Sequence, residues 1–184
     1  SGRPTASGTI AIDRARDVAW VVSPDADVVT RVLLAGPSVD VEIPVGRRPR
    51  SVAVGPDGRA WVTCEDDATV WSIDATQGAS SAAIVRLPRA SRPHGIALDP
   101  GGAVAYVALS GTGELAKVDV ATARVVGRLP LGPTARAVAV SADGARVLVT
   151  RFVSPEGRGE VWDVDAARFQ LARVIALPMD PGPD

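Results

Sequence analysis

The chain contains few of the residues from which self-contained active sites are usually built. Its 184 residues include one cysteine, one histidine and no asparagine. A lone cysteine excludes an internal disulfide, a Cys-x-x-Cys metal knuckle and a haem-attachment motif, so Cys64 is expected to be a small buried apolar side chain. The sequence also lacks a nucleophile elbow, a phosphate-cradling glycine loop and a suggestively spaced His–carboxylate pair. We therefore predict no catalytic residue, no cofactor and no metal site.

Charge and hydropathy exclude two further classes of partner. The formal net charge is −1 at pH 7, with 46% hydrophobic and 22% charged residues. This balance is typical of a globular protein and provides no long-range field to attract nucleic acid or an anionic membrane. No apolar run approaches the ~20 residues that a membrane helix needs. We predict neither nucleic-acid binding nor membrane insertion.

The chain does contain an internal repeat. Four similar strand-forming segments recur, with their first core residues at Ile10, Val52, Ile96 and Val138. The steps between these residues are 42, 44 and 42 positions. A fixed period of about 40 to 50 residues indicates a propeller or a solenoid.

Each repeat has the pattern of four short antiparallel strands. The first strand is followed by turn residues, which are Gly55-Pro56-Asp57-Gly58, Asp99-Pro100-Gly101-Gly102, Ser141-Ala142-Asp143-Gly144 and the degenerate Asp13-Arg14-Ala15-Arg16. Asp-Gly and Gly-Gly supply the positive φ of a tight hairpin. No sustained helical period occurs. The predicted fold is an all-β propeller with four four-stranded blades at about residues 7–46, 47–88, 89–132 and 133–178.

Two sets of recurring residues are expected to be structural. Asp74, Asp119 and Asp165 end the third strand of their repeats and are predicted to accept hydrogen bonds from the turn that follows. Trp61, Trp71 and Trp162 occupy strand positions and are predicted to pack between blades.

The third repeat carries a family resemblance. Its segments Pro93-His94-Gly95-Ile96-Ala97-Leu98-Asp99, Ala105-Tyr106-Val107-Ala108 and Leu115-Ala116-Lys117-Val118-Asp119 resemble YVTN-type (lactonase-like) propeller repeats. The resemblance implies an extracytoplasmic bacterial protein, periplasmic or on the cell surface, with c-type cytochromes or other redox domains as partners. It also implies seven blades. The first residue, Ser1, and the ending at Asp184 therefore favour a piece of a longer propeller.

One candidate site lies at the turn into the innermost strands, where a propeller has the mouth of its channel. Arg50, His94 and Arg136 each precede the first core residue of their repeat by two positions, and Gly8 stands there in the first repeat. Together these side chains could hold an anion, a carboxylate or a haem propionate by charge-assisted hydrogen bonds. The alternative is that each pairs with a local carbonyl or acid. A lone His94 is a weak signal for a metal ligand or a general base.

The loop between the second and third strands opens on the same face. In the second repeat it holds Glu65-Asp66-Asp67, which suits a hard cation less well than it suits a solvated acidic turn. In the fourth repeat it is longer by four residues, and we predict that it contacts a partner. The residues concerned are Arg151, Phe152, Glu156, Arg158 and Glu160. The alternative is a neutral variation in loop length.

These patterns favour a non-catalytic binding or scaffold module that uses its loop face and channel mouth. The ligand is expected to be a protein, possibly a redox protein, or a small anion. Two alternatives stay open. One is part of a lactonase-like hydrolase whose remaining site residues lie outside this sequence, and the other is a purely structural surface module.

Overall fold

The computed structural model describes residues 4–74, 83–155 and 157–178, and within these ranges it contains strands and turns but no helix. It therefore shows, over the same ranges, no helix that could cross a membrane. The strands form four antiparallel sheets, and within each sheet four consecutive strands follow one another as a simple meander. Such sheets are the blades of a propeller, so the predicted fold is confirmed.

The blades have the following strands. Blade 1 consists of β2 (Ile10–Asp13), β3 (Val18–Ser23), β4 (Val28–Leu33) and β5 (Ser38–Pro44). Blade 2 consists of β6 (Pro49–Val54), β7 (Ala60–Cys64), β8 (Thr69–Ile73) and β9 (Ala83–Arg86). Blade 3 consists of β10 (Pro93–Leu98), β11 (Val104–Leu109), β12 (Glu114–Asp119) and β13 (Arg124–Pro130). Blade 4 consists of β14 (Ala135–Val140), β15 (Arg146–Arg151), β16 (Arg158–Asp165) and β17 (Gln170–Pro178).

Three hydrophobic clusters, one at each junction between consecutive blades, form the core. Alternate residues of a strand point to opposite faces, so every inner blade contributes one face to the junction before it and the other to the junction after it. In blade 2, Val52 and Val62 pack toward blade 1, whereas Ala53 and Trp61 pack toward blade 3. Because a single blade is too thin to bury both faces alone, its burial depends on its neighbours.

A pair of one small and one large residue, called here the small-with-large pair, recurs on the same face of each blade. In blades 1 to 3 this face is turned toward the next blade. The pair joins the innermost strand to the second strand in the same register in all four blades. The pairs are Ala11 with Trp20, Ala53 with Trp61, Ala97 with Tyr106 and Ala139 with Leu148. Trp20, Trp61 and Tyr106 are buried. The alanine leaves room near the axis, and the large side chain fills the wider space behind it.

The turns between the first and second strands also connect neighbouring blades. Gly58, Gly102 and Gly144 have positive φ of 86°, 73° and 72°, and each occupies the last position of its turn. A Cβ at Gly102 would lie 2.5 Å from Pro56 of the preceding blade, and one at Gly144 would lie 3.5 Å from Pro100. Glycine is thus required here for its backbone angle and, at Gly102, also for the approach of the neighbouring turn.

A short strand that the sequence did not predict precedes blade 1. β1 (Thr5–Ala6) pairs antiparallel with β14, opposite Val140 and Ala139. The Ser7 N–H donates to the Val138 carbonyl at 2.8 Å, and the Val52 N–H donates to the Gly8 carbonyl at 2.9 Å. Residues 5–8 therefore run along the inner edges of blades 2 and 4, and this added strand makes the sheet of blade 4 five-stranded.

Most structural expectations are confirmed. Cys64 is buried, and so are Trp61 and Trp162, while Trp71 is half-buried against the junction of blades 1 and 2. Asp119 accepts a hydrogen bond from the Thr122 N–H at 2.7 Å, and Asp165 accepts one from the Arg168 N–H at 2.9 Å. Asp74 lies next to residues outside the described ranges and contacts Arg59 at 3.6 Å. The third strand of blade 1, β4, was expected from the repeat, but no segment of the sequence was assigned to it.

Candidate functional site

The same end of three innermost strands carries Arg50, His94 and Arg136. Arg50 lies near the start of β6, His94 near the start of β10 and Arg136 near the start of β14. All three side chains are half-buried. Burial and, to a smaller extent, the positive charges of Arg136 and Arg50 lower the pKa of His94 from 6.5 to about 4. The structure thus brings the three predicted residues into one positive environment, in which the imidazole is neutral at pH 7.

Two features bring His94 close to its neighbours in adjacent blades. The Thr63 hydroxyl of blade 2 donates a hydrogen bond to the His94 carbonyl at 2.6 Å. On the other side, a Cβ at Gly95 would lie 2.3 Å from the Arg136 carbonyl oxygen, so β10 and β14 approach more closely there than a side chain would allow. Gly95 therefore permits the approach that places His94 beside Arg136.

In three blades, the loop between the second and third strands is hydrogen-bonded to the link, the segment that connects the preceding blade to the innermost strand. The backbone N–H of the first loop residue donates to the carbonyl of a residue with positive φ in the link. The pairs are Glu65 to Arg48 at 3.0 Å, Ser110 to Arg92 at 3.1 Å and Phe152 to Thr134 at 2.9 Å. Glu65, Ser110 and Phe152 are consequently equivalent positions, and their side chains decide the chemistry of this face.

In blade 2 the equivalent position is a buried carboxylate held by two arginines. Glu65 accepts hydrogen bonds from Arg50 and, at 2.9 Å, from Nε of Arg92 in the following link. Burial raises the pKa of Glu65, but the two guanidinium groups outweigh that effect and hold the pKa below its ordinary value. The ionised carboxylate thus bridges blades 2 and 3.

This geometry corrects the prediction of a solvated acidic turn. Asp66 and Asp67 are exposed as expected, but Glu65 is buried because two arginines neutralise it. Asp67 contacts Arg47 at 2.9 Å, and Asp66 contacts Arg48 at 3.9 Å. Within the described ranges, no group of three or more His, Cys, Asp or Glu side chains could hold a metal ion.

In blade 4 the equivalent position is an exposed aromatic ring. Phe152 is 61% exposed, and the guanidinium of Arg136 lies 3.8 Å from its ring centroid. Such stacking satisfies the flat face of a guanidinium and leaves its N–H groups free to donate. In the part of the chain that the structure describes, this guanidinium makes no hydrogen bond or ion pair. Among these described residues, Arg136 is therefore held in place without a counter-ion.

The long loop of blade 4 is stiffened by a second carboxylate between two arginines. Arg151 contacts Glu160 at 2.7 Å, and Arg158 contacts it at 3.0 Å. Glu160, one of the residues predicted to contact a partner, is buried beneath these arginines. Arg158 is exposed and Arg151 is half-buried, so both remain candidates for a partner contact. Glu156 lies outside the described residues.

A cavity of about 240 Å³ lies between the Glu65 carboxylate of blade 2 and the Phe152 ring of blade 4. Its lining residues are Glu65, Arg92, Ser110, Gly111, Thr134, Arg136 and Phe152. Around it stand three guanidinium groups and one carboxylate, since Arg50 lies behind Glu65. The excess of positive charge suits an oxyanion.

The opposite end of the axis has a larger concavity of about 590 Å³, but its acids are already engaged. Asp13 accepts a hydrogen bond from the Ala15 N–H at 3.0 Å, and Asp99 accepts one from the Gly101 N–H at 3.0 Å. Both carboxylates belong to their own turns. Nor is Cys64 a candidate nucleophile, because burial raises the pKa of its thiol to about 12.

No protein-family model and no curated protein matches the sequence. Solved structures do match. The chain is similar to the hydrazine synthase of Kuenenia stuttgartiensis (21% identity, TM-score 0.80, 88% of this chain and 46% of that chain). It is also similar to the Dos1 propeller (12%, 0.70, 92% and 47%) and to the dihydro-heme d1 dehydrogenase NirN in complex with DHE (15%, 0.69, 96% and 39%). At these identities the likeness shows the β-propeller fold, and the chain spans less than half the length of each of the three.

Sequence reasoning found the three inner residues of the site but missed most of its wall. Arg92 and Thr134 precede His94 and Arg136 by two positions, as Arg48 precedes Arg50. That constant offset was a usable signal for the link residues. No sequence pattern showed that Glu65 would turn inward, because the arginines that neutralise it come from two different blades.

Proposed function

We propose that the chain is a non-catalytic binding module that holds a carboxylate, or a similar oxyanion, of a partner at the cavity beside Arg136. The repeats that resemble YVTN-type propellers support an extracytoplasmic bacterial location and a redox protein, such as a c-type cytochrome, as the partner. One structural neighbour is described as bound to a haem-related molecule, which agrees with a propionate as the recognised group.

The observation that carries the proposal is the state of Arg136. Its guanidinium is half-buried and stacked on Phe152, with no counter-ion among the described residues. The other two arginines of the site share the single carboxylate of Glu65. An incoming oxyanion would therefore accept hydrogen bonds from Arg136 without breaking an existing ion pair.

Phe152 and its neighbour would supply the apolar part of the contact. Phe152 and Val153 are 61% and 58% exposed, yet their backbone N–H groups are fixed by the Thr134 carbonyl and hydroxyl. An exposed aromatic side chain on a fixed backbone loses little entropy on binding. Aromatic and arginine side chains are also the residues that contribute most to protein interfaces.

His94 provides a direct test, because it is the only histidine in the sequence. Burial, together with the positive charges of Arg136 and Arg50, lowers its pKa to about 4. A bound anion would offset those charges and raise the pKa of His94 toward its ordinary value. The experiment follows the His94 ring resonances by NMR against pH, with sulfate as the probe and sodium chloride of equal ionic strength as the reference.

We expect sulfate to raise the pKa of His94 in the wild-type protein and in Arg124→Gln, which removes an exposed arginine at the opposite end of blade 3. Arg136→Gln should abolish the sulfate effect. A parallel binding assay at neutral pH uses a c-type cytochrome, and Phe152→Ala should weaken its binding at least tenfold. A His94 titration that is identical in sulfate and chloride would show that the anion site is wrong. Cytochrome binding that Phe152→Ala leaves unchanged would show that the partner surface is wrong.

A further inference from the structure

We propose that the junction between blades 2 and 3 binds an organic cation, an alkylammonium or alkylguanidinium group, at the end of the blades opposite the anion site. A cavity of about 480 Å³ lies there. It is lined by Asp57, Arg59 and Ser72 of blade 2 and by residues 120–123, the turn between β12 and β13 of blade 3. The inference rests on a comparison between junctions and is independent of the proposed function.

Ser72 lies on the wall of the cavity that blade 2 provides. It stands opposite Trp61 in the register of β7 and β8. Residues directly opposite each other in an antiparallel pair project to the same face, so Ser72 projects toward blade 3, as Trp61 does. Ser72 is 1% exposed, and its hydroxyl makes no hydrogen bond within the described ranges. A buried hydroxyl thus borders the cavity with its bonding capacity unused.

The positions equivalent to Ser72 in the neighbouring blades carry a cation. Arg31 stands opposite Trp20 in blade 1, and Lys117 stands opposite Tyr106 in blade 3. The Arg31 guanidinium lies 5.9 Å from the centroid of the Trp20 ring, and the Lys117 ammonium lies 5.6 Å from the centroid of the Phe169 ring. The blade 1 and blade 3 faces thus each place a positive charge against an aromatic ring.

The junction between blades 2 and 3 has small residues where the next junction has large ones. Ser72 takes the place of Lys117, and Ala123 takes the place of Phe169. Ala123 and Phe169 are equivalent because each has positive φ, 52° and 51°, directly before the outer strand of its blade. Phe169 packs on Tyr106 with the ring centroids 6.3 Å apart. The cavity therefore lies where a lysine and a phenylalanine meet one junction further along the chain.

The charges on the wall of the cavity favour a cation. Arg59 contacts the Asp57 carboxylate at 3.8 Å and the Asp74 carboxylate at 3.6 Å. Two negative charges thus share one guanidinium. A ligand with a positive group would balance the second carboxylate, as Arg31 is balanced by Asp40 in blade 1.

Other charged side chains close to the cavity, within the described ranges, do not offset this difference. Arg86 stands opposite Thr69, on the face that blade 2 turns toward blade 1, and so projects away from the cavity. The remaining charged side chains at the bordering turns form pairs of opposite sign, which are Arg16 with Asp13 and Arg124 opposite Asp119.

The volume and the lining suit a small ligand. Small-molecule sites typically have volumes of roughly 300–1,000 Å³ and combine apolar surface with a few polar groups. The N–H groups of the cation would donate to the Ser72 hydroxyl and the Asp57 carboxylate, and its alkyl stem would pack on Val120 and Ala121.

The test is a titration of the nitrogen-15-labelled chain with n-butylammonium chloride, followed by NMR through the amides of residues 120–123. Sodium chloride of equal ionic strength is the reference. We expect saturable shifts in the wild type and in Ser38→Lys, which adds a lysine at an exposed position of blade 1. Ser72→Lys should abolish the shifts, because it supplies the cation from the chain itself, as Lys117 does in blade 3. n-Butanol, the neutral analogue, should bind at least tenfold more weakly.

Asp57→Asn separates the loss of charge from a loss of structure. Asp57 is exposed, and asparagine keeps the oxygen that accepts from the Arg59 N–H. We expect at least threefold weaker binding of butylammonium and an unchanged thermal unfolding temperature. Nα-acetyl-lysine methylamide carries the same ammonium on a peptide unit, so tighter binding than butylammonium would identify a partner's lysine as the ligand, and weaker binding a small amine.

Two results would overturn the proposal. One is a set of amide shifts that is the same in butylammonium chloride and in sodium chloride. The other is butylammonium binding that both Ser72→Lys and Asp57→Asn leave unchanged.

Discussion

The junction between blades 2 and 3 and the outer face of blade 4 have the same local structure and different surroundings. Both place an alanine on the innermost strand opposite a large side chain on the second strand, Ala53 with Trp61 and Ala139 with Leu148. Trp61 is 1% exposed and Leu148 is 38% exposed. The difference arises because blade 3 covers the first pair, whereas none of the described blades covers the second. A repeat therefore encodes a shape, and its neighbour determines whether that shape is buried.

The test with the largest expected effect truncates the large residue of each pair to alanine. Trp61→Ala should lower the free energy of unfolding by about 3–5 kcal/mol, because it opens a cavity that a rigid junction cannot fill. Leu148→Ala should lower it by less, about 1 kcal/mol, because Leu148 is already 38% exposed and its truncation leaves no closed cavity. Urea unfolding measures both losses. Equal losses would mean that burial within a blade, rather than at a junction, stabilises the fold.

An intermediate test uses glycines that share a positive φ but differ in what surrounds them. Gly102→Ala should cost more than about 1 kcal/mol, since the new Cβ meets Pro56 of the neighbouring blade at 2.5 Å in addition to the backbone strain. Gly144→Ala should cost about 1 kcal/mol from backbone strain, because Pro100 lies at an ordinary 3.5 Å.

Gly157→Ala is the matched control for those two substitutions, with φ of 81° and no atom within 4 Å of the added Cβ. Its cost should equal that of Gly144→Ala, and thermal unfolding of the three variants gives the order. If Gly102→Ala and Gly157→Ala were equally stable, the contact between the turns of blades 2 and 3 would contribute nothing.

The prediction with the smallest expected effect concerns the pH dependence of stability. It compares Glu65, which lies at a junction between blades, with Asp163, which lies on the outer face of blade 4. Two arginines hold the pKa of each carboxylate below its ordinary value, although burial acts in the opposite direction. A carboxylate with a depressed folded pKa adds stability above its unfolded pKa and loses it as the pH falls through the folded pKa. Urea midpoints from about pH 6 to about pH 3 should therefore fall less steeply in Glu65→Gln and in Asp163→Asn than in the wild type.

The same titration has an internal reference in His94. Its folded pKa lies near 4, below the ordinary value of 6.5, so the unfolded chain binds a proton first as the pH drops between these values. Stability should decline in that window in the wild type and in both variants. If the urea midpoints of the two variants fell as steeply at acid pH as those of the wild type, the arginine pairs would not be what makes these carboxylates stabilising.

The repeat made the fold predictable, because strand pattern, turn residues and spacing all agreed in four successive segments. Two strands were not located from the sequence. β4 lies in the first repeat, which lacks the aspartate that ends the third strand elsewhere, and β1 is too short to have a pattern. Its pairing with β14 is a long-range contact that no local propensity encodes.

The site was predictable only where it follows the repeat. The constant offset placed Arg50, His94 and Arg136 together at one end of the innermost strands. The inward turn of Glu65, the stacking of Arg136 on Phe152 and the burial of Glu160 depend on side chains from other blades or other strands. Periodicity specifies where a residue lies on its blade, but neutralisation and stacking depend on which residues meet across blades.

The pairing of β1 with β14 has a consequence for how the molecule is made. Thr5 and Val140 are 135 positions apart, so β1 has no partner strand until blade 4 has been synthesised. At about 5–20 residues per second on the ribosome, that wait lasts roughly 7 to 27 seconds. Blades 1 and 2 can dock meanwhile, because their contacts are between successive repeats. Of the described strands, β1 is thus synthesised first but is among the last to find its partner strand.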